Sequence, residues 1–203
     1  TWVVCMASGG SVQRLDPARD MLANVDVTGD AVPCARFMGG REFARICELT
    51  GSDTAEPLTM EALQATVDAD VFALPDFSGG SGPCAGRAGH ITGQPAQGAA
   101  LATLYLALMI ELEIELLDAP GEVLIEGAFA ANPLLCALVA ALCARRVYIS
   151  GAMDATALGE MPRIPMPLGS NPKPVPNTIC SLEMYAADGA AAARFFGDLF
   201  GWS

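Results

Sequence analysis

Residues 121–150 read GEVLIEGAFAANPLLCALVAALCARRVYIS, and the order of elements in that stretch decides the fold. Residues 122–126 (EVLIE) are an apolar run of strand length. Residues 127–132 (GAFAAN) are small and turn-like. Pro133 suits the first position of a helix, where its missing N–H costs nothing. Asn132 before it is a good N-cap, because its side-chain oxygen can accept from a free backbone N–H. The helix expected from 133 to about 144 is apolar nearly all round, which predicts burial. Val147, Tyr148 and Ile149 form the next strand. A strand that ends in small residues and opens a helix suits an anionic or planar ligand, since backbone N–H groups point outward and no side chain blocks approach. The same stretch also reads as an ordinary βαβ crossover with a tight first turn.

Outward from that stretch, the chain carries more strands and helices. Residues 2–7 (WVVCMA), 22–28 and 31–38 (AVPCARFM) read as three strands, joined as a meander of hairpins with a turn at Gly29-Asp30. Gly39-Gly40 opens a helix over 41–49, a second glycine-rich strand-to-helix junction. Residues 58–68 have apolar side chains at helical spacing: Leu58, Leu63, Val67. Val71 to Leu74 is a short strand. Residues 75–95, PDFSGGSGPCAGRAGHITGQP, form a long Gly/Pro loop, which inside a compact domain points to function or local mobility. A long helix follows over 97–117. Beyond residue 150, a short helix is expected over 154–161. An extended connector with six Pro covers 162–176, and an amphipathic helix covers 181–200. The domain division is therefore 1–161 for the packed body and 162–203 for connector and tail helix.

Strands in a hairpin run, followed by alternating helices and strands, give an α/β mixed sheet. The antiparallel meander lies beside parallel strands flanked by helices. That order matches one half of a ribonuclease H-like (actin-like ATPase) fold.

Composition narrows the function. The chain has 203 residues, 52% hydrophobic and 17% charged, with net charge −12. So acidic a chain is a poor nucleic-acid binder, because phosphate neutralisation needs clustered Lys and Arg. Its high apolar fraction points to surface that faces a partner, whether a missing domain or a second copy in a homodimer. Seven scattered Cys without a CxxC pair imply free thiols and a cytoplasmic location rather than a disulfide framework. His90, the single histidine, lacks neighbours for a metal cluster, so no protein metal site is expected. The apolar segment 99–117 carries Glu111, Glu113 and Glu115, which favours a buried helix over a membrane span.

Five stretches in order resemble the C-terminal domain of the FGGY carbohydrate kinase family, on the fuculokinase and rhamnulokinase side. Thr1-Trp2 is similar to the end of that family's phosphate-binding turn. ARFMGGREF (35–43) resembles the segment whose glycine opens a helix beside the phosphates. LPDFSGGSGPCAG (74–86) resembles its Pro/Gly loop, GAFAANP (127–133) its adenosine motif, and SGAMDATALG (150–159) its closing motif. Glu126 stands where the adenosine motif often has its first glycine.

The resemblance implies ATP with Mg²⁺ as cofactors and a sugar as acceptor. Phosphoryl transfer of this kind rests on positioning and charge stabilisation, with a carboxylate to take the hydroxyl proton. It places Thr1 on the β/γ-phosphate side, Gly39 and Gly40 near the phosphates with Glu42 on the same helix, and Gly127, Ala128 and Asn132 on adenine and ribose. It assigns no catalytic residue here: the base and the sugar-binding residues are expected upstream, in an N-terminal kinase domain. An association domain that uses the actin-like fold without catalysis is the alternative.

Overall fold

The computed structural model describes residues 2–26, 28–54, 57–118 and 121–149, together with the backbone of 179–183. The expected helix over 154–161 and the proline-rich connector lie outside the described residues, as does Thr1.

Six strands form one sheet in the order β2-β3-β1-β8-β6-β7. They are β1 (Val3–Ala7), β2 (Met21–Val25), β3 (Ala31–Phe37), β6 (Val123–Ile125), β7 (Val147–Ile149) and β8 (Ile179–Glu183). A separate two-stranded ribbon pairs β4 (Ala73–Leu74) with β5 (His90–Ile91). The helices are α1 (Gly39–Thr50), α2 (Met60–Asp68), α3 (Gly98–Leu116) and α4 (Pro133–Cys143).

The mixed α/β class holds, and four details of the sequence reading are corrected. First, the opening strands are no meander. β2 and β3 form a hairpin, but β1 pairs with β3 and not with β2 (Val3↔Phe37 through Met6↔Cys34). Residues 8–20 are too long for a tight turn and fold into two 3₁₀ turns, Val12–Arg14 and Pro17–Arg19. They carry the chain past β3 before β2 begins. Second, Ala73–Leu74 leaves the main sheet and pairs with a strand from inside the Gly/Pro loop. Third, Ser181–Glu183 are strand and not helix: β8 is antiparallel to β1 and parallel to β6. A slot flanked by two strand edges supplies hydrogen bonds that override a local helical pattern. Fourth, α4 is covered on one face only. It buries Leu135, Cys136 and Val139, while Ala137, Ala141 and Leu142 are exposed.

α3 is the helix buried nearly all round. Leu101, Ala102, Leu106, Ala107, Ile110 and Ile114 are all 2% exposed or less. It packs on α1, α2 and α4 and on strands β1 and β3. A Cβ on Gly98 would sit 1.9 Å from Thr50 Oγ1, so glycine lets the start of α3 approach the end of α1. The Gly98 N–H donates to Ser52 Oγ at 3.1 Å. Val3, Cys5 and Ala7 of β1 join Phe37, Phe43 and Ile46 in the same core, which fixes the strand register from one side.

Register then orients the site. β3 runs against β1, so the end of β3 lies beside the start of β1. β8 also runs against β1, and β6 runs with β8 (Val123↔Ile179↔Ala7). The ends of β3 and β6 therefore open at the same end of the sheet, where β1 begins. Three strand spacings separate them, about 14 Å at ~4.8 Å each.

Candidate functional site

Both glycine junctions singled out in the sequence lie at that end. The first is β3–α1. Met38 is the N-cap of α1, and no side chain accepts a hydrogen bond from its first turn. The unpaired N–H groups of that turn carry the positive end of the helix dipole. Gly39 and Gly40 are buried. A Cβ on Gly39 would lie 2.5 Å from Val3 Cγ2, 3.1 Å from Phe37 and 3.3 Å from Leu106. Packing alone thus requires glycine at 39.

Trp2 flanks this junction on β1's side. The Arg36 guanidinium lies over its ring, 4.6 Å from the centroid. Arg36 also reaches Asp20 Oδ1 at 3.4 Å, a part-exposed pair. Asp20 in turn accepts from the Gly82 N–H at 2.7 Å, tying the Gly/Pro loop to the strands.

The second junction is β6–α4. Gly127 has φ 70, which glycine adopts without penalty, and nothing lies within 4 Å of a Cβ built there. The expected turn is a 3₁₀ helix, Gly127–Ala131. Phe129 buries its ring in the core, while Ala128 packs at the core's margin. Asn132 is a true N-cap: its side-chain oxygen accepts from Leu134 N (3.1 Å) and Leu135 N (3.0 Å). Pro133 takes the first helical position, as expected. Glu126 is 5% exposed at the end of β6.

The Gly/Pro loop covers the first junction. Asp76 accepts from the N–H groups of Ser78, Gly79 and Gly80 and from the Ser78 hydroxyl. Burial alone would raise its carboxyl, but these four bonds hold it below the usual carboxylate range. Gly82 rests on Phe37, where a Cβ would meet Phe37 Cβ at 2.8 Å. Glu42, in the first turn of α1, is 1% exposed. Its Oε2 accepts from the Tyr105 hydroxyl of α3. Burial pushes Glu42 up to about 7; the Tyr105 bond opposes that rise and Asp76 adds to it.

The structure thus brings Gly39, Gly40 and Glu42 to one corner and Gly127, Ala128 and Asn132 to another, at one end of the sheet. Sequence reasoning missed Asp76, Tyr105, Asp20 and Arg36 as parts of this end. Two signals were present. Asp-x-Ser-Gly-Gly is a pattern for a side chain that accepts from its own turn. A lone Tyr inside an apolar helix needs a partner for its hydroxyl.

Among the described residues no group of three His, Cys, Asp or Glu side chains could hold a metal ion, and no helix is long and apolar enough to cross a membrane. The thiols of Cys5, Cys47, Cys84, Cys136 and Cys143 form no disulfide.

Residues 1–168 match the family model of the carbohydrate kinase FGGY C-terminal domain. The chain belongs to the FGGY carbohydrate kinases and corresponds to their C-terminal domain. Among solved structures it is similar to a carbohydrate kinase from Novosphingobium aromaticivorans, at 32% identity and a TM-score of 0.60. The match covers 68% of this chain and 31% of that one, so this chain spans about a third of that kinase's length. No curated protein matches the chain.

Proposed function

We propose that this chain is the ATP-binding C-terminal half of a kinase that phosphorylates a sugar hydroxyl from MgATP, with a ketose such as fuculose, rhamnulose or xylulose as acceptor. The observation that carries this reading is the convergence of two glycine junctions at one end of the sheet. Ligands in α/β sheets favour the carboxyl ends of strands, where chain direction leaves a crevice. The spacing of about 14 Å between β3 and β6 suits a nucleotide lying along that end.

In this reading the fold is the ribonuclease H-like, actin-like ATPase type. Residues 1–161 form its nucleotide-binding body, and the chain beyond returns one strand to the sheet. The donor set fits the group. The uncapped first turn of α1, at Gly39 and Gly40, offers N–H groups to phosphate oxygens, and Thr1 is assigned to the β/γ-phosphate side. Glu42 belongs to the same turn. The open space at Gly127, with Ala128 beside it, accepts a planar base, and Asn132 can cap α4 while its amide N–H groups serve ribose. Mg²⁺ needs no protein cage here, since it binds chiefly through phosphate oxygens and water. When bound, MgATP supplies the transferable phosphoryl group. The base that accepts the sugar's proton belongs to the N-terminal kinase domain, which closes on this half. The cytoplasm, where ATP is plentiful, is the compartment this reading assigns.

The test is phosphoryl transfer by the longer protein that carries this domain. Incubated with MgATP and a panel of ketoses, it is expected to yield a sugar phosphate and ADP in equal amounts. ADP formation that no sugar stimulates would overturn the assignment.

A second reading draws on exposed apolar surface. Leu142 on α4 and Ile149 on β7 are 37% and 41% exposed on neighbouring elements. A domain used only for association would present such a face. It predicts a stable self-complex whose formation ignores MgATP, measured by light scattering.

A further inference from the structure

Glu42 is a buried carboxyl beside the β3–α1 junction that the phosphate reading leaves unexplained. It is a carboxyl 1% exposed whose Oε1 has no hydrogen-bond partner. Burying such a group costs free energy wherever its oxygens are left without hydrogen bonds. Oε2 accepts from the Tyr105 hydroxyl, 63 residues away on α3. The Phe77 backbone N–H, from the Gly/Pro loop, is close enough to favour the ionised carboxyl. The Phe77 ring meets the Tyr105 ring edge to face at 5.5 Å. One carboxyl therefore joins α1 to α3 and, through Tyr105, to the loop.

The loop is otherwise self-organised. Asp76 gathers three backbone N–H groups, and the Gly89 N–H closes the loop's neck onto the Asp76 carbonyl at 2.9 Å. It is tied to the strands by Asp20 and by Arg19, whose Nε donates to the Pro83 carbonyl at 3.3 Å. Glu42 makes the matching tie on the helix side. Gly82 rests on Phe37, two residues before Gly39, so the loop lies over the start of α1.

We propose that Glu42 is a positioning residue that latches the loop of residues 75–89 over the β3–α1 junction through Tyr105 and Phe77, and that the latch loosens as pH rises. The consequence for nucleotide rests on the reading above; the latch itself does not. The sign follows from solvation. In the latched loop the carboxyl is buried and prefers its proton, and in the opened loop it is solvated and prefers to ionise. Opening therefore releases a proton and is favoured by alkali. The groups that face Glu42 reinforce this. Tyr105 stays neutral, because burial and Glu42 itself raise its hydroxyl. Asp76 is held ionised and repels a second charge. Cys84 and Glu113 are both pushed up, burial first, with Glu42 a further cause in each case. Arg19 and Arg87 act on Cys84.

The experiment is amide hydrogen exchange across residues 76–89 of the nucleotide-free chain from pH 5 to 9, with rates corrected for the intrinsic pH dependence of exchange. The opening constant is expected to rise with pH and to level off above about 7, by at most roughly 300-fold for a carboxyl moved from 4.5 to about 7. Amides of α3 around Ile110 serve as the control and should show no such step. Glu42→Gln should remove the step. Tyr105→Phe keeps the ring against Phe77 but deletes one donor, so it should move the midpoint upward. A purely packing role for Glu42 would leave the midpoint in place. A wild-type loop without a pH step, or a step that survives Glu42→Gln, overturns the proposal. If Glu42→Gln fails to fold, an unmoved midpoint in Tyr105→Phe does so alone. None of these outcomes depends on ATP binding.

Discussion

The two glycine junctions look alike in sequence and differ in physics. At β3–α1 the glycine is enclosed: three side chains stand within 3.3 Å of the Cβ that Gly39 lacks. At β6–α4 the glycine is open: Gly127 has a left-handed φ and empty space around it. The helices differ in the opposite sense. α1 begins with no side-chain cap, whereas α4 begins under Asn132. The closed junction thus leaves its backbone N–H groups to be satisfied by something else. The open junction satisfies its own and offers space. A glycine motif read from sequence cannot separate these cases, because the difference lies in what other segments bring to it.

Substitutions separate the two. Gly39→Val should have the largest effect, a loss of about 3 to 4 kcal/mol in denaturant unfolding, since overpacking against Val3, Phe37 and Leu106 has no room to relax. A loss under about 1 kcal/mol would show the junction to be looser than its packing implies.

Glu42→Gln comes next and depends on pH. Glu42's folded value is raised from 4.5 to about 7, so its contribution is fully present below about 4.5 and is lost as pH rises through 7. The ceiling is about 3.4 kcal/mol, for a rise from 4.5 to about 7 at ~1.4 kcal/mol per pH unit. Unfolding at pH 8 should find the variant more stable than wild type, with the gap closing towards pH 5. A gap that widens on acidification would reverse the sign of the argument.

At the open junction the effects are smaller. Asn132→Ala removes the acceptor for two N–H groups and should cost about 1 to 2 kcal/mol of thermal stability. Gly127→Ala should cost about 1 kcal/mol, from backbone conformation alone. If Gly127→Ala proved as damaging as Gly39→Val, the contrast between open and closed would fail.

What could be read from the sequence follows the same division between local and distant. Asn132-Pro133 marked the start of α4, and the unbroken run from 98 to 116 marked α3, because caps and periodicity are local signals. The two junctions were legible for that reason. Strand order was not. β1 pairs with β3 because residues 8–20 carry β2 to the outer edge, and nothing in the strands themselves specifies that. The helical pattern expected over 181–200 gives way in β8, where pairing with β1 and β6 outweighs local preference at Ser181–Glu183. The Glu42–Tyr105 bond joins residues 63 apart, so sequence spacing could not suggest it.

The central claim is that the two junctions share one nucleotide. Thermal unfolding of the chain with and without millimolar MgATP tests it most directly. Binding to the folded state raises the midpoint, by an amount equivalent to ~2.7 kcal/mol at a hundredfold excess over the dissociation constant. The account predicts a rise with MgATP, and a smaller one for adenosine, which can occupy only the β6–α4 side. No shift with MgATP, or equal shifts with MgATP and adenosine, would contradict it.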